Sequence, residues 1–394
     1  MKQLSVEQIR LNHLRKQHAF DRERPDFYEI AGTQLGLHST DYWTPYLSVW
    51  ARIGDYDAEA IFRSLNSGDR LLRLNAFRAT VHVVHSDNLS LVILATKSAF
   101  YKKMRQHPDI KQLSDKEINS LMEVVLATLK DGPKTMREIK KSVSQYAKQI
   151  RPLFHLAATS GRVVRATASH ARSSTTAYAL LEKWVKGFRL EDMPEDKAVN
   201  LMIQRYIDRF GPVSVDDISW WLSITKTRAR TAVEALKNEV VEVDVGGAHK
   251  MMTSDDLEFA ASLEAPSDPV IWLLPYEDHL PKSSIERSWY LSEQMKSYVF
   301  PKLREHYWPP ECLPPPSDVK VTGATNASGE IRPTIWVNGE VVGRWEFESE
   351  KENYVVSYRI LEKVHAKYDN IISERARELE DFVNARLVPI SRAK

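Results

Sequence analysis

One short pattern occurs twice in this chain. Gly132-Pro133-Lys134-Thr135, with Ile139 four residues on, recurs as Gly211-Pro212-Val213-Ser214, with Ile218 four residues on. Gly-Pro stops one helix, and the Thr or Ser that follows caps the next. Each copy follows an apolar-periodic helix, Ile118 to Leu129 and Leu201 to Phe210. A third helix comes after it, about Pro152 to Ser160 in one copy and Thr225 to Lys237 in the other. Two short strands close each copy. In the first they are Arg162–Ala166 and Thr176–Leu181, flanking SHARSS; in the second, Val240–Val245 and His249–Thr253, around Gly246-Gly247. Three helices and a β-hairpin predict a winged helix–turn–helix, here in tandem.

Residues 1–100 hold the signals of one more such unit. Ser5-x-x-Gln8 and Asp26-x-x-Glu29 mark helix starts, and Thr44-Pro45 opens a helix through Ile53. Arg78 to His85, RATVHVVH, alternates like a strand. The last third changes character. Pro309 to Ser317 reads as a stiff linker. Asn338-Gly339 between IWV and EVVGRWEF predicts a hairpin over Thr334 to Phe347. Val355–Ile360 predicts a further strand and Ser373–Leu387 a closing amphipathic helix. The expected fold is mainly α with α+β. Winged-helix units over 1–112, 113–190 and 191–264 precede a β-rich domain over 265–394.

The formal net charge is only +2, but the sum hides an asymmetry. From Tyr101 to Leu190 there are 18 Lys+Arg against 7 Asp+Glu, while the remainder carries 37 against 46. A basic middle in a mildly acidic chain predicts a face for polyanions. The candidate phosphate contacts are Lys226, Arg228 and Arg230 on the third helix of the second copy. In the first copy they are Lys140 and its basic neighbours, with Arg162, Arg165 and Arg172 around the wing.

Several chemistries lack their signatures. The single cysteine, Cys312, excludes a disulfide framework and a cysteine-based zinc or iron–sulfur site. There is no phosphate loop, no dinucleotide-binding glycine run and no H-E-x-x-H helix. His82 and His85, three apart on a strand, point to opposite faces and do not form a joint metal site. No apolar run approaches the roughly 18 residues of a membrane helix. With those signatures missing no cofactor is expected; the N-terminus has no apolar signal core and no heptad stretch zips a dimer, so the expectation is a soluble, cytoplasmic monomer.

The segment from Leu35 to Arg52, LGLHSTDYWTPYLSVWAR, resembles the N-terminal motif of the AlkZ/YcaQ-like bacterial DNA glycosylases. That motif reads L-G-L-Q-x-Q or Q-x-D, a short spacer, then P-Y-x-x-x-W-x-R. Leu72-Arg73-Leu-Asn-Ala-Phe-Arg78-Ala-Thr80-Val-His82 is similar to the family's V-R-T-W-L-M-R-G-T-L-H. Leu273-Leu274-Pro275-Tyr-Glu-Asp278 resembles its L-L-P-x-F-D, and Pro333 to Trp345 matches a further C-terminal element. The four lie in register over nearly the whole chain.

The resemblance implies tandem winged helices, a C-terminal β-rich domain, and monofunctional removal of alkylated purines from duplex DNA. Bulky adducts and interstrand cross-links fall within that class. In the ungapped match His38 and Thr40 stand where the family has its catalytic pair, and Asp41 follows. Gln34 lies just upstream, but aligning it as the motif glutamine requires a four-residue gap before Pro45. An alkylated purine is already cationic and leaves as a neutral base, so the enzyme needs a held water and negative potential beside the sugar. His38 is the expected base. Thr40 is expected to orient the water, and Asp41 to supply the charge. Matching the family, Arg52, Arg73, Arg78 and His82 contact DNA or brace the motif. Asp278 approaches the site or caps a turn, and Trp43 is placed to stack on a base.

Two alternatives remain open on the residues alone. His38 can end a helix while Ser39, Thr40 and Asp41 cap the next one. The chain can also be a winged-helix regulator, lesion binder or protein-interaction scaffold without an active site.

Overall fold

Capping residues legible in the sequence set most helix starts. In a computed structural model, residues 2–392 are described apart from 22, 174–175, 265, 293–294, 297–298, 300–329, 351 and 362–366. Pro309 to Ser317, the expected linker, lies outside the described residues, as does Cys312. After a short strand β1 (Lys2–Leu4), α1 (Val6–Lys16) opens on the reciprocal box of Ser5 and Gln8. Asp26 caps α2 (Phe27–Thr33) by accepting the N–H of Glu29. A two-residue strand, β2 (Leu37–His38), then leads into α3 (Thr44–Ile53).

The start of α3 departs from expectation. Thr44 does not cap it; the Oδ1 of Asp41 accepts the N–H groups of Trp43 and Thr44, each at 3.0 Å. The Thr44 hydroxyl donates to the carbonyl of Tyr276 at 2.8 Å and lies 3.3 Å from the same Asp41 oxygen. Next come α4 (Ala58–Ser67), β3 (Leu71–Asn75) and β4 (Val81–His85). The strand expected from Arg78 begins only at Val81, because Arg78 takes φ = +55° in the turn Phe77–Ala79 between the two strands. α5 (Leu89–Arg105) follows.

The two copies of the repeat fold alike. The first runs through α6 (Asp115–Ala127), β5 (Lys134–Thr135), α7 (Met136–Ser142), α8 (Ile150–Thr159), β6 (Val163–Ala168) and β7 (Thr176–Leu180). A short α9 (Leu181–Trp184) leads to the second: α10 (Glu195–Phe210), α11 (Val215–Leu222), α12 (Lys226–Ala235), β8 (Val240–Val245) and β9 (Ala248–Thr253). Thr135 with Glu138, and Ser214 with Asp217, form matching capping boxes. The residue between Pro and the cap also pairs with the hairpin in both copies, Lys134 with Tyr178 and Val213 with Met251. α13 (Ser254–Ser262) then leads to β10 (Ile271–Leu274), β11 (Thr334–Val337), β12 (Glu340–Glu350) and β13 (Asn353–Ile360), and a helix, Asp369–Phe382, follows near the C-terminus.

Among the described residues these strands form three sheets, ordered β1-β8-β9, β2-β4-β3-β6-β7-β5 and β10-β11-β12-β13. The architecture is therefore mixed α/β. Pairing between distant segments ties the parts together. β1 joins β8 in parallel, and β3 meets β6 through Arg73 and Arg165. One core joins the N-terminal helices to the last sheet, another joins α5 to the second repeat, and the first repeat encloses its own. Burying these apolar faces is the main favourable term in the fold.

Candidate active site

Where β2 and β4 run side by side, the turn after β10 closes over them and the second repeat supplies an aromatic wall. His38 on β2 sits opposite His82 on β4 in register, and their rings meet edge to face at 5.5 Å. Phe77, Phe210 and Trp221 line one side, with Phe77 stacked on Trp221 at 3.9 Å. Arg78 and Lys282 supply positive charge to the wall, and Gln34, Gly36 and His279 complete it. The free space within is about 30 Å³, enough for one or two waters.

The backbone around the pocket is unusual. Leu35, Arg78 and Glu277 take φ of +62°, +55° and +60°, and Gly36 takes +127°. A side chain at Gly36 would also press on Val84 at 3.3 Å. Left-handed residues other than glycine persist where their surroundings over-determine them, and such places cluster at functional sites.

His38 is only 3% exposed. Its Nε2 lies 3.3 Å from the Thr40 hydroxyl and 3.7 Å from Oε2 of Glu277. Its Nδ1 is buried and has no hydrogen-bond partner. Burial, reinforced by the charge of Lys282 and by His82 and Arg78, pulls the imidazole well below its usual 6.5. His82 is held at about 3, again mainly by burial, although its Nδ1 meets the Thr80 carbonyl at 3.1 Å. Both rings are neutral at physiological pH.

Gln34 also faces this pocket, through a chain of oriented groups. Arg52 forks onto Asp278, Nη1 to Oδ2 and Nη2 to Oδ1, both at 3.0 Å, with neither side chain exposed. Arg52 also donates to Oε1 of Gln17, from Nε at 3.0 Å and Nη2 at 2.8 Å. His279 lies 3.1 Å from the same oxygen. That oxygen is thereby fixed as an acceptor, so Nε2 of Gln17 donates to Oε1 of Gln34 at 3.0 Å. The Nε2 of Gln34 is left buried without a partner in the wall of the pocket. Burial would raise the Asp278 carboxyl, but Arg52 and His279 hold it down at about 2. Arg52→Ala is expected to destabilise the protein by about 3–5 kcal/mol, read from urea unfolding, because it strands a buried carboxylate. Arg52→Lys should recover little, since an ammonium cannot make the fork. Equal stability in all three proteins would refute the network's structural role.

Several expected site residues are placed otherwise. Arg52 is no DNA contact: its guanidinium is sealed against Asp278. Asp278 neither reaches His38 nor merely caps a turn, although it does accept the N–H of Leu280 at 2.9 Å. Asp41 spends Oδ1 on the start of α3. Trp43 is 5% exposed, packs against Phe347 and Tyr354, and donates from Nε1 to Ser391. It cannot stack on a base without leaving that packing. Arg172 lies over Trp43 at 4.5 Å and donates to the Tyr354 hydroxyl at 2.9 Å, so it pins the hairpin of the first repeat to the last sheet. Arg73 is buried beside Arg165, which donates to the Tyr178 hydroxyl at 3.2 Å. Arg78 flanks the pocket, stacked over Trp220 at 4.0 Å.

The remaining basic residues lie towards solvent. Lys140 and Arg230 are exposed. Arg162 pairs with Glu123, Lys226 with Asp216, and Arg228 with Glu195 and Asp196. Glu277 and Lys282 were not singled out from the sequence. The available signal was the acid at position 277, where the resembled run L-L-P-x-F-D carries phenylalanine.

The family described as DNA glycosylase AlkZ-like matches residues 33–384. An interstrand DNA cross-link repair glycosylase of Streptomyces sahachiroi is 20% identical over 346 residues, which span 84% of this chain and 85% of that one. The solved structure of the Streptomyces sahachiroi DNA glycosylase AlkZ superposes with a TM-score of 0.73 at 20% identity, covering 100% of this chain and 98% of that one. With the match spanning the pocket and most of the sequence, this chain belongs to the AlkZ-like DNA glycosylase family.

Proposed function

We propose that this protein is a monofunctional DNA glycosylase that hydrolyses the N-glycosidic bond of cationic alkylated purines in duplex DNA and leaves an abasic site. Bulky adducts belong to the proposed substrate range, as do interstrand cross-links, which the name of the Streptomyces sahachiroi relative carries. The two repeats act as winged helices that carry the duplex. Their exposed cations, Lys140 and Arg230 among them, meet phosphates without reading sequence.

The observation that carries this reading is a neutral histidine, His38, held beside the Thr40 hydroxyl in the wall of a pocket sized for water. In the reaction a water oxygen bonds to the anomeric carbon of the damaged nucleotide. The carbon–nitrogen bond breaks, and its electron pair cancels the positive charge on the purine. The water's proton passes to His38 and then to solvent. The leaving base needs no acid, so the site needs a base, a group that orients the water and negative potential beside the sugar. So small a pocket supports attack on a nucleotide still at the duplex surface, since base flipping requires a pocket that encloses the base.

The test is incubation with duplexes carrying N7-methylguanine, a bulky N7-alkylguanine and an alkyl cross-link, followed by alkali. Strand breaks at the lesion are the expected outcome. No break above background on any of the three would overturn the reading and leave a DNA-binding protein.

A further inference from the structure

Glu277 stands directly behind the pocket wall, and the hydrolysis as described gives it no part. It is 5% exposed and takes a left-handed backbone conformation that its contacts enforce. Its N–H donates to the Ile331 carbonyl at 3.1 Å, and the Ile331 N–H donates back to Oε1 at 2.7 Å. One carboxylate oxygen is thus spent on holding two distant segments together. The other, Oε2, takes the ammonium of Lys282 and lies 3.7 Å from Nε2 of His38. Thr40 approaches the same ring nitrogen at 3.3 Å.

The imidazole therefore has two unlike ends. Nε2 faces an anionic oxygen and a hydroxyl. Nδ1 is buried with no partner, and so is Nε2 of Gln34, which lines the same pocket. A neutral imidazole carries one N–H and one lone pair, and the neighbour of one nitrogen decides which is which. At 3.7 Å Oε2 is too far for a hydrogen bond, but its charge favours the proton on Nε2 and leaves Nδ1 as the acceptor. Orphaned buried polar atoms call for a bound water. Here one is an acceptor, the other is a donor, and the pocket has room for a water; Gln34 then orients that water, and Thr40, at the other ring nitrogen, steadies His38.

We propose that Glu277 is the positioning residue of His38: its Oε2 fixes the ring with Nε2 protonated, so that Nδ1 holds the attacking water, while Lys282 serves as the counter-ion that lets the carboxylate stay buried. The proposal rests on the glycosylase reading only for its catalytic consequence. When Nδ1 takes the water's proton, the ring becomes a cation, and Oε2 is the anionic group nearest to it. Glu277 itself makes and breaks no bond and transfers no proton.

The electrostatic surroundings agree. Burial pushes the Glu277 carboxyl up and the Lys282 ammonium down, and each draws the other back towards its charged form. The other charged and titratable neighbours of Glu277 are Glu330, Tyr276, Arg78 and His38. Lys282 donates a hydrogen bond to Oε2.

The test reads the ring directly, on the full-length protein with ¹⁵N-labelled histidine at pH 7, with His38→Ala identifying the His38 signals. In the wild type they are expected to show a neutral ring with Nε2 protonated. Glu277→Gln is expected to shift the ring towards the Nδ1–H form. Identical nitrogen shifts in the two proteins overturn the proposal. If Glu277→Gln fails to fold, Lys282→Met decides. Without its counter-ion the buried carboxyl takes up a proton, so the His38 signals should shift towards the Nδ1–H form as in Glu277→Gln; no movement overturns the proposal. On alkylated duplex, Glu277→Gln should lower the single-turnover rate about 10–100-fold with unchanged affinity. A wild type that cleaves nothing would remove the glycosylase reading, and the nitrogen shifts would still decide the role of Glu277.

Discussion

His38→Ala is expected to lower the single-turnover rate of base release by about 10²–10⁴-fold, the range ordinarily lost with a general base. The duplex affinity should stay within a few-fold, because His38 is 3% exposed and phosphates are met elsewhere. Folding should survive as well. The ring contributes no buried charge, and its Nδ1 makes no hydrogen bond that the fold depends on. Asp41→Asn is the informative control. An amide oxygen can still accept the N–H groups of Trp43 and Thr44, so the start of α3 persists and the rate should change little. The measurement is the rate of abasic-site formation with enzyme in excess over an N7-methylguanine duplex. If His38→Ala loses less than three-fold while Asp41→Asn loses a hundred-fold, the base and the helix cap have been assigned the wrong way round.

Acid is expected to unfold this protein early, between neutral pH and about pH 4. Burial, ahead of nearby cations, holds His13, His82 and His279 at about 3, and pulls His38 well below 6.5. In the unfolded chain all four titrate near 6.5. Below that pH the unfolded state binds protons that the native state refuses, so stability falls as pH falls. Each such histidine contributes up to about 1.4 kcal/mol per pH unit once its unfolded form is protonated. Four together approach about 5–6 kcal/mol per unit, against an ordinary total stability of about 5–15 kcal/mol. Asp278, held at about 2, adds to the loss only below its unfolded value near 3.8. Urea midpoints measured at half-unit steps from pH 7.5 to 4.5 check this. A flat profile down to pH 4.5 would show that these rings are hydrated or paired in solution.

The two predictions concern the same architecture. His82 and His279 line the pocket with His38, and His13 lies buried in stacking contact with Trp289 at 4.1 Å. A site that keeps several imidazoles neutral makes a base available at physiological pH, and it makes the fold sensitive to acid for the same reason.

Much of the fold was legible because its signals are local. A cap reaches an N–H three residues away, so Ser5 with Gln8, Asp26 with Glu29 and Ser214 with Asp217 announce their helices whatever surrounds them. Asn338-Gly339 likewise makes the β11–β12 hairpin from two adjacent residues. His38 and Thr40 lie two residues apart, so one linear motif brings both into view.

The tertiary structure decided what each charge meets. A guanidinium is the same in sequence whether it faces a phosphate or a buried acid. Arg52 became structural because Asp278, 226 positions away, folds against it, and Trp43 became core because β12, β13 and Arg172 close over it. Glu277 became the partner of His38 through the packing of the β10 turn on β2. Short-range hydrogen bonding is written in neighbouring residues, whereas burial and ion pairing depend on which remote segments the chain brings together. The amino-acid order therefore determined the elements and the short motif around His38, and the assembled molecule determined what each of its polar groups meets.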